Sequence, residues 1–178
     1  MNFQARPRML AAPLVVLLAV MLGSVGSVGS ADSAAAVTAG HGVPAGYTIP
    51  LNGTASGRAA VKFALAARGH QYRFGSSGLT YYDCSGLTMR AWAHGGRSTS
   101  RTTYDQRYDG RAVSRPANLV PGDLVLVPAG GTSSRPNHVG IFIGRGLVLH
   151  APGTGDVVKA VSFSSFTARG TSALRHIG

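Results

Sequence analysis

The chain has 178 residues, enough for one domain of ordinary size after an N-terminal targeting segment. It carries 17 basic residues against 6 acidic ones, all aspartate, and its formal net charge is +11. The absence of glutamate disfavours a glycosidase with paired carboxylates. The arginines are scattered and follow no recognised nucleic-acid motif, so specific nucleic-acid binding is disfavoured too. A basic surface favours electrostatic contact with anionic polymers.

Residues 1–35 have the pattern of a secretory signal peptide. Two arginines precede an apolar run over 9–22, and a stretch of small residues follows. The run is shorter than the about 20 apolar residues that cross a membrane, and Pro13 interrupts it. We therefore expect export, cleavage between Ala31 and Ala36, and no transmembrane segment in the mature chain.

Residues 36–54 are rich in glycine and proline and are expected to form a flexible lead to a single domain over 55–178. Helices are predicted over 57–68, 84–94 and 102–108, the first of them capped by Thr54 or Ser56. Strands are predicted over 124–127, 138–143, 147–150, 157–161 and 173–176. Helices followed by a run of short strands predict an α+β fold with an antiparallel sheet.

Two of these strands flank Gly144-Arg145-Gly146 and predict a hairpin that places two histidines side by side. With those three residues as the loop, Ile141 lies opposite Leu149, and the branched apolar residues of the first strand share one face. His138 and His150 then share the other face as diagonal neighbours, about 5–8 Å apart. A register shift of one residue would separate them.

The only cysteine, Cys84, is predicted to open the second helix. In an exported protein a lone cysteine is an accident, half of an intermolecular bridge, or a reactive group. A helix N-terminus and a neighbouring imidazolium both favour the thiolate, which is the nucleophilic form. His138 is the better candidate for the base and His150 for the residue that orients it, although spacing alone does not assign the two roles.

A zinc site built from the same three side chains is a competing interpretation. It is disfavoured because no short-spaced pair of ligands accompanies them, and no acidic base is suggested nearby. No metal and no cofactor are therefore expected. Asp83, directly before the cysteine, fits the N-cap of the helix better than an acid catalyst.

Six short blocks occur in a recognisable order. They are Tyr72-x-Phe74-Gly75, Asp83-Cys84-Ser85-Gly86-Leu87, Arg101-Thr102-Thr103-x-x-Gln106, Leu119-x-Pro121-Gly122-Asp123-Leu124-Val125, His138-Val139-Gly140-Ile141-Phe142-Ile143-Gly144 and Leu149-His150-Ala151-Pro152. Together they resemble the catalytic domain of the NlpC/p60 cell-wall endopeptidases, over about residues 56–163. The chain departs from the usual family pattern at Gln71 and Phe74, where proline and tryptophan are common.

The resemblance implies a papain-like α+β fold in which N-terminal helices pack on a central antiparallel sheet. It also implies that Cys84 is the nucleophile, His138 the general base and His150 the orienting residue. The residues expected to bind the substrate or the oxyanion are Tyr72, Asp83 and Ser85. The backbone N–H of Cys84 is a further oxyanion donor.

The implied function is hydrolysis of a stem-peptide amide in peptidoglycan, between γ-D-glutamyl and diaminopimelate, by Cys-His-His thiol catalysis. We expect a secreted, wall-associated monomer whose partners are stem peptides and, through its charge, anionic wall polymers. Two alternatives stay open at this point. One is a wall-binding domain without turnover, and the other is a related amidase or effector that acts on a different amide bond.

Overall fold

The structure, a computed structural model, describes residues 40–128 and 135–178. The predicted signal peptide and the first residues of the predicted lead lie outside the described residues. Within the two described ranges, no helix combines the length and the apolar character needed to span a bilayer.

In the part of the chain that the structure describes, three α-helices precede the main sheet. Helix α1 (Ala55–Ala66) begins two residues before the predicted start, because the Thr54 hydroxyl caps it by accepting the Gly57 N–H at 3.0 Å. Helix α2 (Cys84–His94) covers the residues that the sequence predicts. Helix α3 (Thr103–Gln106) is a single turn, shorter than the predicted 102–108.

The described residues also form eight strands and a fourth α-helix. They are β1 (Gln71–Tyr72), β2 (Tyr81–Tyr82), β3 (Arg111–Ala112), β4 (Leu124–Pro128), β5 (Pro136–Gly144), β6 (Leu147–His150), β7 (Lys159–Ser162), α4 (Phe163–Phe166) and β8 (Ala173–His176). Six strands form an antiparallel sheet in the order β3-β8-β4-β5-β6-β7. Strands β1 and β2 pair in parallel, in a segment for which the sequence predicts neither helix nor strand.

The β5–β6 hairpin has the predicted register except beside its turn. Ile141 faces Leu149 as expected, and Phe142 faces Val148. A bulge then places Gly144, rather than Ile143, opposite Leu147. Gly144 accommodates the bulge because its φ is +98°, a value that side chains disfavour.

The two faces of the sheet pack against different partners. The helical face carries Val139, Ile141 and Leu149 and packs with α1 and α2 in the larger core, which includes Leu87 and Trp92. The histidine face carries Val125, Phe142 and Val148 and packs with α4 in a smaller apolar cluster, which includes Phe163 and Phe166. Side chains that alternate along β5 therefore enter two separate clusters.

The described part of the predicted lead, from residue 40 onwards, is packed on the domain and is not a flexible segment. Val43 and Tyr47 are buried in the larger core, with 3% and 4% of their surfaces exposed. The Tyr47 hydroxyl donates to the carbonyl of Ile143. The Ala160 N–H donates to the carbonyl of His41 at 2.8 Å. The expectation was wrong here because the apolar side chains between the glycines find partners on β5 and β7.

Candidate active site

Cys84 is the first residue of α2, and an N-cap fixes the backbone there. Asp83 has an extended backbone with φ of −92°, and its carboxylate accepts the Gly86 N–H at 2.7 Å. The predicted cap is therefore confirmed. Cys84 lies at the border of the larger core with 9% of its surface exposed, and its Sγ lies 3.5 Å from the Thr103 hydroxyl on α3. The thiol thus sits at the positive end of a helix beside a hydroxyl group.

A partly exposed ion pair lies at the same helix start. Arg101 donates from both terminal nitrogens to the two carboxylate oxygens of Asp83, at 3.0 and 2.6 Å. It also donates to the Ser85 hydroxyl at 3.0 Å. The hydrogen bond to Asp83 raises the pKa of Arg101, so the guanidinium stays charged. Sequence reasoning gave Arg101 no role, although it quoted the residue within one of the six blocks.

Gln106 joins α3 to α2 from inside the protein. It is fully buried, and its amide nitrogen donates to the Ser85 carbonyl at 3.1 Å and to the Ser100 carbonyl at 2.8 Å. Its amide oxygen accepts the Thr88 hydroxyl at 2.9 Å. The amide therefore fixes the position of α3, and with it Thr103, relative to Cys84.

Tyr72 lies on β1 beside the thiol. Burial raises the pKa of its hydroxyl, and electrostatic interactions with Cys84 and Asp83 raise it further. Its backbone N–H donates to the Asp156 carbonyl at 2.9 Å, which fixes the strand. The phenol is therefore neutral and can donate a hydrogen bond near the Cys84 thiol.

The loop that follows Tyr72 packs against the first turn of α2 so closely that only glycine fits. The Ser76 carbonyl accepts the Asp83 N–H at 2.8 Å. A Cβ at Gly86 would lie 2.3 Å from that carbonyl oxygen. The glycine two residues after the cysteine thus lets the loop close over the start of the helix.

The hairpin register brings the two predicted histidines into contact on the histidine face. Nε2 of His138 on β5 lies 2.8 Å from Nδ1 of His150 on β6. Their ring centroids are 5.1 Å apart, and the ring planes meet at 76°. The two imidazoles therefore form one hydrogen-bonded pair.

Both imidazoles are neutral at pH 7. Burial lowers the pKa of His138 to about 4. Burial also lowers the pKa of His150 to about 3; the charges of His138 and Lys159 lower it further, and Asp156 opposes them.

The chemistry of the pair assigns the protons. A protonated His138 carries N–H groups on both nitrogens, so its bond to His150 survives only if Nδ1 of His150 accepts. The proton of neutral His150 then belongs on Nε2. That nitrogen is buried and has no hydrogen-bond partner among the described residues. This arrangement leaves Nδ1 of His138 to exchange a proton with another group.

The six predicted site residues form two groups on neighbouring elements. Helix α2 packs against β5, and so does α3, which holds Thr103 beside the sulfur. The first group surrounds the helix start and consists of Tyr72, Asp83, Cys84 and Ser85. The second consists of His138 and His150. Across residues 40–128 and 135–178, no three His, Cys, Asp or Glu side chains converge as metal ligands would.

Two surface cavities lie near the start of β4 and include none of these six residues. One, of about 390 Å³, is lined by residues such as Pro50, Phe142 and Arg145. The other, of about 340 Å³, is lined by residues that include Arg111, Asp123 and His176. Neither cavity contributes to the arrangement around Cys84.

The family described as NlpC/P60 matches residues 69–175, a range that includes all six predicted site residues. The chain belongs to the NlpC/P60 family. Its fold is the papain-like arrangement of helices and a mostly antiparallel sheet that NlpC/P60 domains share.

Known NlpC/P60 proteins resemble the chain in sequence and in structure. The murein DD-endopeptidase MepS/murein LD-carboxypeptidase of Escherichia coli K12 is 41% identical over 92 residues, which cover 51% of this chain and 47% of that protein. NlpC1 from Trichomonas vaginalis superposes with a TM-score of 0.63 at 29% identity, over 71% of this chain and 46% of the other. The NlpC/p60 domain of the peptidoglycan hydrolase SagA superposes with a TM-score of 0.58 at 29% identity, over 68% of this chain and 98% of that domain. The chain spans about half the length of the sequence relative.

Proposed function

We propose that this protein is an exported peptidoglycan endopeptidase. It hydrolyses the stem-peptide amide between γ-D-glutamyl and diaminopimelate through a thioester on Cys84. The observation that carries the proposal is the hydrogen-bonded pair of His138 and His150, in a domain whose single thiol opens helix α2. Family membership and the names of the relatives, a murein endopeptidase and a peptidoglycan hydrolase, support the substrate class.

In the first step Cys84 transfers its thiol proton to Nδ1 of His138, and the sulfur attacks the amide carbonyl carbon. A C–S bond forms, and the carbonyl oxygen becomes an oxyanion. Cys84 opens a helix, so its backbone N–H has no intrahelical partner and can donate to that oxygen. The neutral Tyr72 hydroxyl is the second donor.

The His138 imidazolium then gives its proton to the leaving nitrogen, the C–N bond breaks, and the amine departs. Water attacks the thioester and transfers a proton to His138. The C–S bond breaks, and the thiol is restored by that proton. Throughout, His150 accepts from Nε2 of His138 and holds the ring in one orientation.

The Asp83–Arg101–Ser85 cluster supplies the binding contacts beside the thiol. The Arg101 side chain is 37% exposed, whereas that of Asp83 is 8% exposed, so the guanidinium is the charge that reaches solvent. A cation here is suited to a carboxylate of the stem peptide. In this proposal Arg101 contacts the substrate and Tyr72 the oxyanion, while the predicted contacts Asp83 and Ser85 act through the guanidinium that they hold in place.

A second candidate activity comes from the E. coli relative, whose name specifies a DD-endopeptidase and an LD-carboxypeptidase. Those activities cleave different amides of the same polymer. The same thiol and histidines can hydrolyse either kind of amide. The bond that is cleaved depends on which part of the peptide binds on each side of the thiol.

Purified muropeptides distinguish the possibilities. The protein is incubated with a disaccharide-tetrapeptide and with a cross-linked dimer, and the products are identified by mass spectrometry. We expect the disaccharide carrying L-alanyl-γ-D-glutamate from the wild type and no product from Cys84→Ala. Cleavage at the cross-link, or loss of the terminal D-alanine alone, would assign the relative's activity instead.

Two other results would overturn the proposal. Cleavage that persists in Cys84→Ala would refute thiol catalysis. Binding to the polymer without any product from the wild type would assign a wall-binding domain. Export is tested separately by locating the protein in cell fractions, where deletion of residues 1–35 should retain it in the cytoplasm.

A further inference from the structure

One aromatic ring contacts both histidines of the pair. The centroid of Phe166, the last residue of α4, lies 5.5 Å from that of His138 and 5.1 Å from that of His150. Its plane makes 40° with the first imidazole and 84° with the second. Phe166 therefore covers the pair on the histidine face.

The space that this ring occupies depends on a glycine between the two histidines. A Cβ at Gly140 would lie 3.1 Å from Cζ of Phe166 and 2.4 Å from Cγ1 of Val148. Any side chain there would push the ring away from the imidazoles. The missing side chain thus allows Phe166 to approach the sheet between His138 and His150.

Helix α4 has its own anchors, so the position of Phe166 does not depend on the histidines. Ser162 caps the helix by accepting the Ser165 N–H at 3.1 Å. The Phe163 N–H donates to the Gly146 carbonyl at 2.7 Å, and the Phe163 ring meets that of Phe142 at 6.5 Å. The helix is therefore fixed to the β5–β6 hairpin at its other end.

Few charges face the pair. Lys159 lies opposite His150 on β7 and binds Asp156 at 2.6 Å. Strand β4 presents Val127 opposite His138, and α4 carries no charged residue. Helices α2 and α3 also pack against β5. Their titratable groups are Cys84, Arg90 and His94 on α2, and Tyr104 and Asp105 on α3.

We propose that Phe166 is a positioning residue of the histidine pair: its ring holds the two imidazoles in their mutual orientation and keeps water from them. This inference rests on the proposed function, because in that reaction the protons are exchanged by the histidine pair, which the inference describes as shielded from water. Burial is the first cause of the low pKa of both imidazoles, and Phe166 is the side chain whose ring covers both. Removing it should admit water and favour the charged form.

The test uses NMR titration of the imidazoles in full-length protein that carries Cys84→Ala, so that its result does not depend on turnover. We expect Phe166→Ala to raise the pKa of the pair by about one unit or more, because hydration moves a histidine towards its ordinary value near 6.5. Phe166→Val should give a smaller rise in the same direction and serves if the alanine variant does not fold. In protein with Cys84 intact, the acidic limb of kcat/KM should move upward by the same amount.

Phe163→Ala is the matched control. It also removes a phenylalanine side chain from α4, but it leaves the Phe166 ring, which contacts the histidines. We expect it to lower stability and to leave the imidazole titration unchanged. An unchanged titration in both Phe166 variants, or an equal shift in Phe163→Ala, would overturn the inference. A shift in Phe166→Ala without muropeptide cleavage by the wild type would overturn only the proposed function.

Discussion

The two halves of the candidate site are stabilised in opposite ways. Around Cys84, polar groups are paired: Asp83 accepts from Gly86 and Arg101, and Arg101 also reaches Ser85. Around the histidines, apolar groups dominate. Burial makes both imidazoles neutral, and Nε2 of His150 has no partner among the described residues.

This difference fits the role that the proposed function gives to each half. The nucleophile half must hold a thiolate and an oxyanion, and fixed charges and donors stabilise both. The histidine half must accept a proton and release it again, and a base that is charged at rest cannot accept one. Changes in pH should therefore disturb the histidine half, and changes in ion pairing should disturb the nucleophile half.

The largest effect should come from lowering the pH. Both histidines have folded-state pKa values below 6.5, so between about pH 6.5 and 4 the unfolded chain binds protons that the folded chain does not. The free energy of unfolding should be highest above pH 6.5 and should fall by about 1.4 kcal/mol per pH unit for each histidine as the pH decreases. Urea denaturation at pH 7, 6 and 5 measures the slope.

His138→Gln and His150→Gln should each flatten that slope. A slope that does not depend on either buried histidine would contradict the assignment of acid sensitivity to this half of the site.

The next largest effect should come from Asp83→Ala. It removes the N-cap and the partner of Arg101, and we expect a loss of about 2–3 kcal/mol in the free energy of unfolding at pH 7. Asp83→Asn keeps an acceptor for the Gly86 N–H and should lose about 1 kcal/mol less. Each variant is also denatured in low salt and in 1 M salt. High salt should reduce the difference in the free energy of unfolding between the wild type and Asp83→Asn, since the Asp83–Arg101 pair is partly exposed and therefore screened.

Gly140→Ala should cause a smaller loss in the free energy of unfolding, about 1–2 kcal/mol. The added methyl group would overlap with Val148 and would lie very close to the Phe166 ring. Thermal unfolding measures the loss. Gly153→Ala is the matched control, since no heavy atom lies within 4 Å of its would-be Cβ. Equal melting temperatures for the two variants would show that the histidine face is more loosely packed than the structure indicates.

The smallest effect should be that of Thr103→Val. The hydroxyl lies 3.5 Å from the Cys84 sulfur, and its loss removes one weak donor to the thiolate. We expect the rate of alkylation by iodoacetamide at pH 7 to fall a few-fold, which corresponds to roughly 1 kcal/mol or less. Thr103→Ser retains the hydroxyl and should react like the wild type. If valine and serine variants react equally fast, the hydroxyl does not act on the sulfur.

Local signals in the sequence predicted the elements that carry the chemistry. Asp83 marked the start of α2 because an aspartate cap needs only the three residues that follow it. The pairing of His138 with His150 followed from strand alternation and from the three-residue loop, both of which act over a dozen residues. Even the bulge at Gly144 left these side chains on the predicted face.

Contacts between distant segments were not predicted. Residues 40–52 looked like a flexible lead because their glycines and prolines carry no periodic pattern, yet Tyr47 packs against a strand almost a hundred residues later. The Asp83–Arg101 pair joins residues 18 positions apart, in different elements. Helix α4 is a single turn, too short for any 3.6-residue repeat to reveal it.

The sequence by itself determined which residues could do the chemistry: a single thiol at a helix start and two histidines that share a strand face. Those features depend on neighbours in the chain or across one hairpin. Only the tertiary structure decided their environment, namely the guanidinium beside Asp83 and the ring of Phe166 over the histidines. Charge compensation and exclusion of water are produced by packing between distant segments, and no local pattern encodes them.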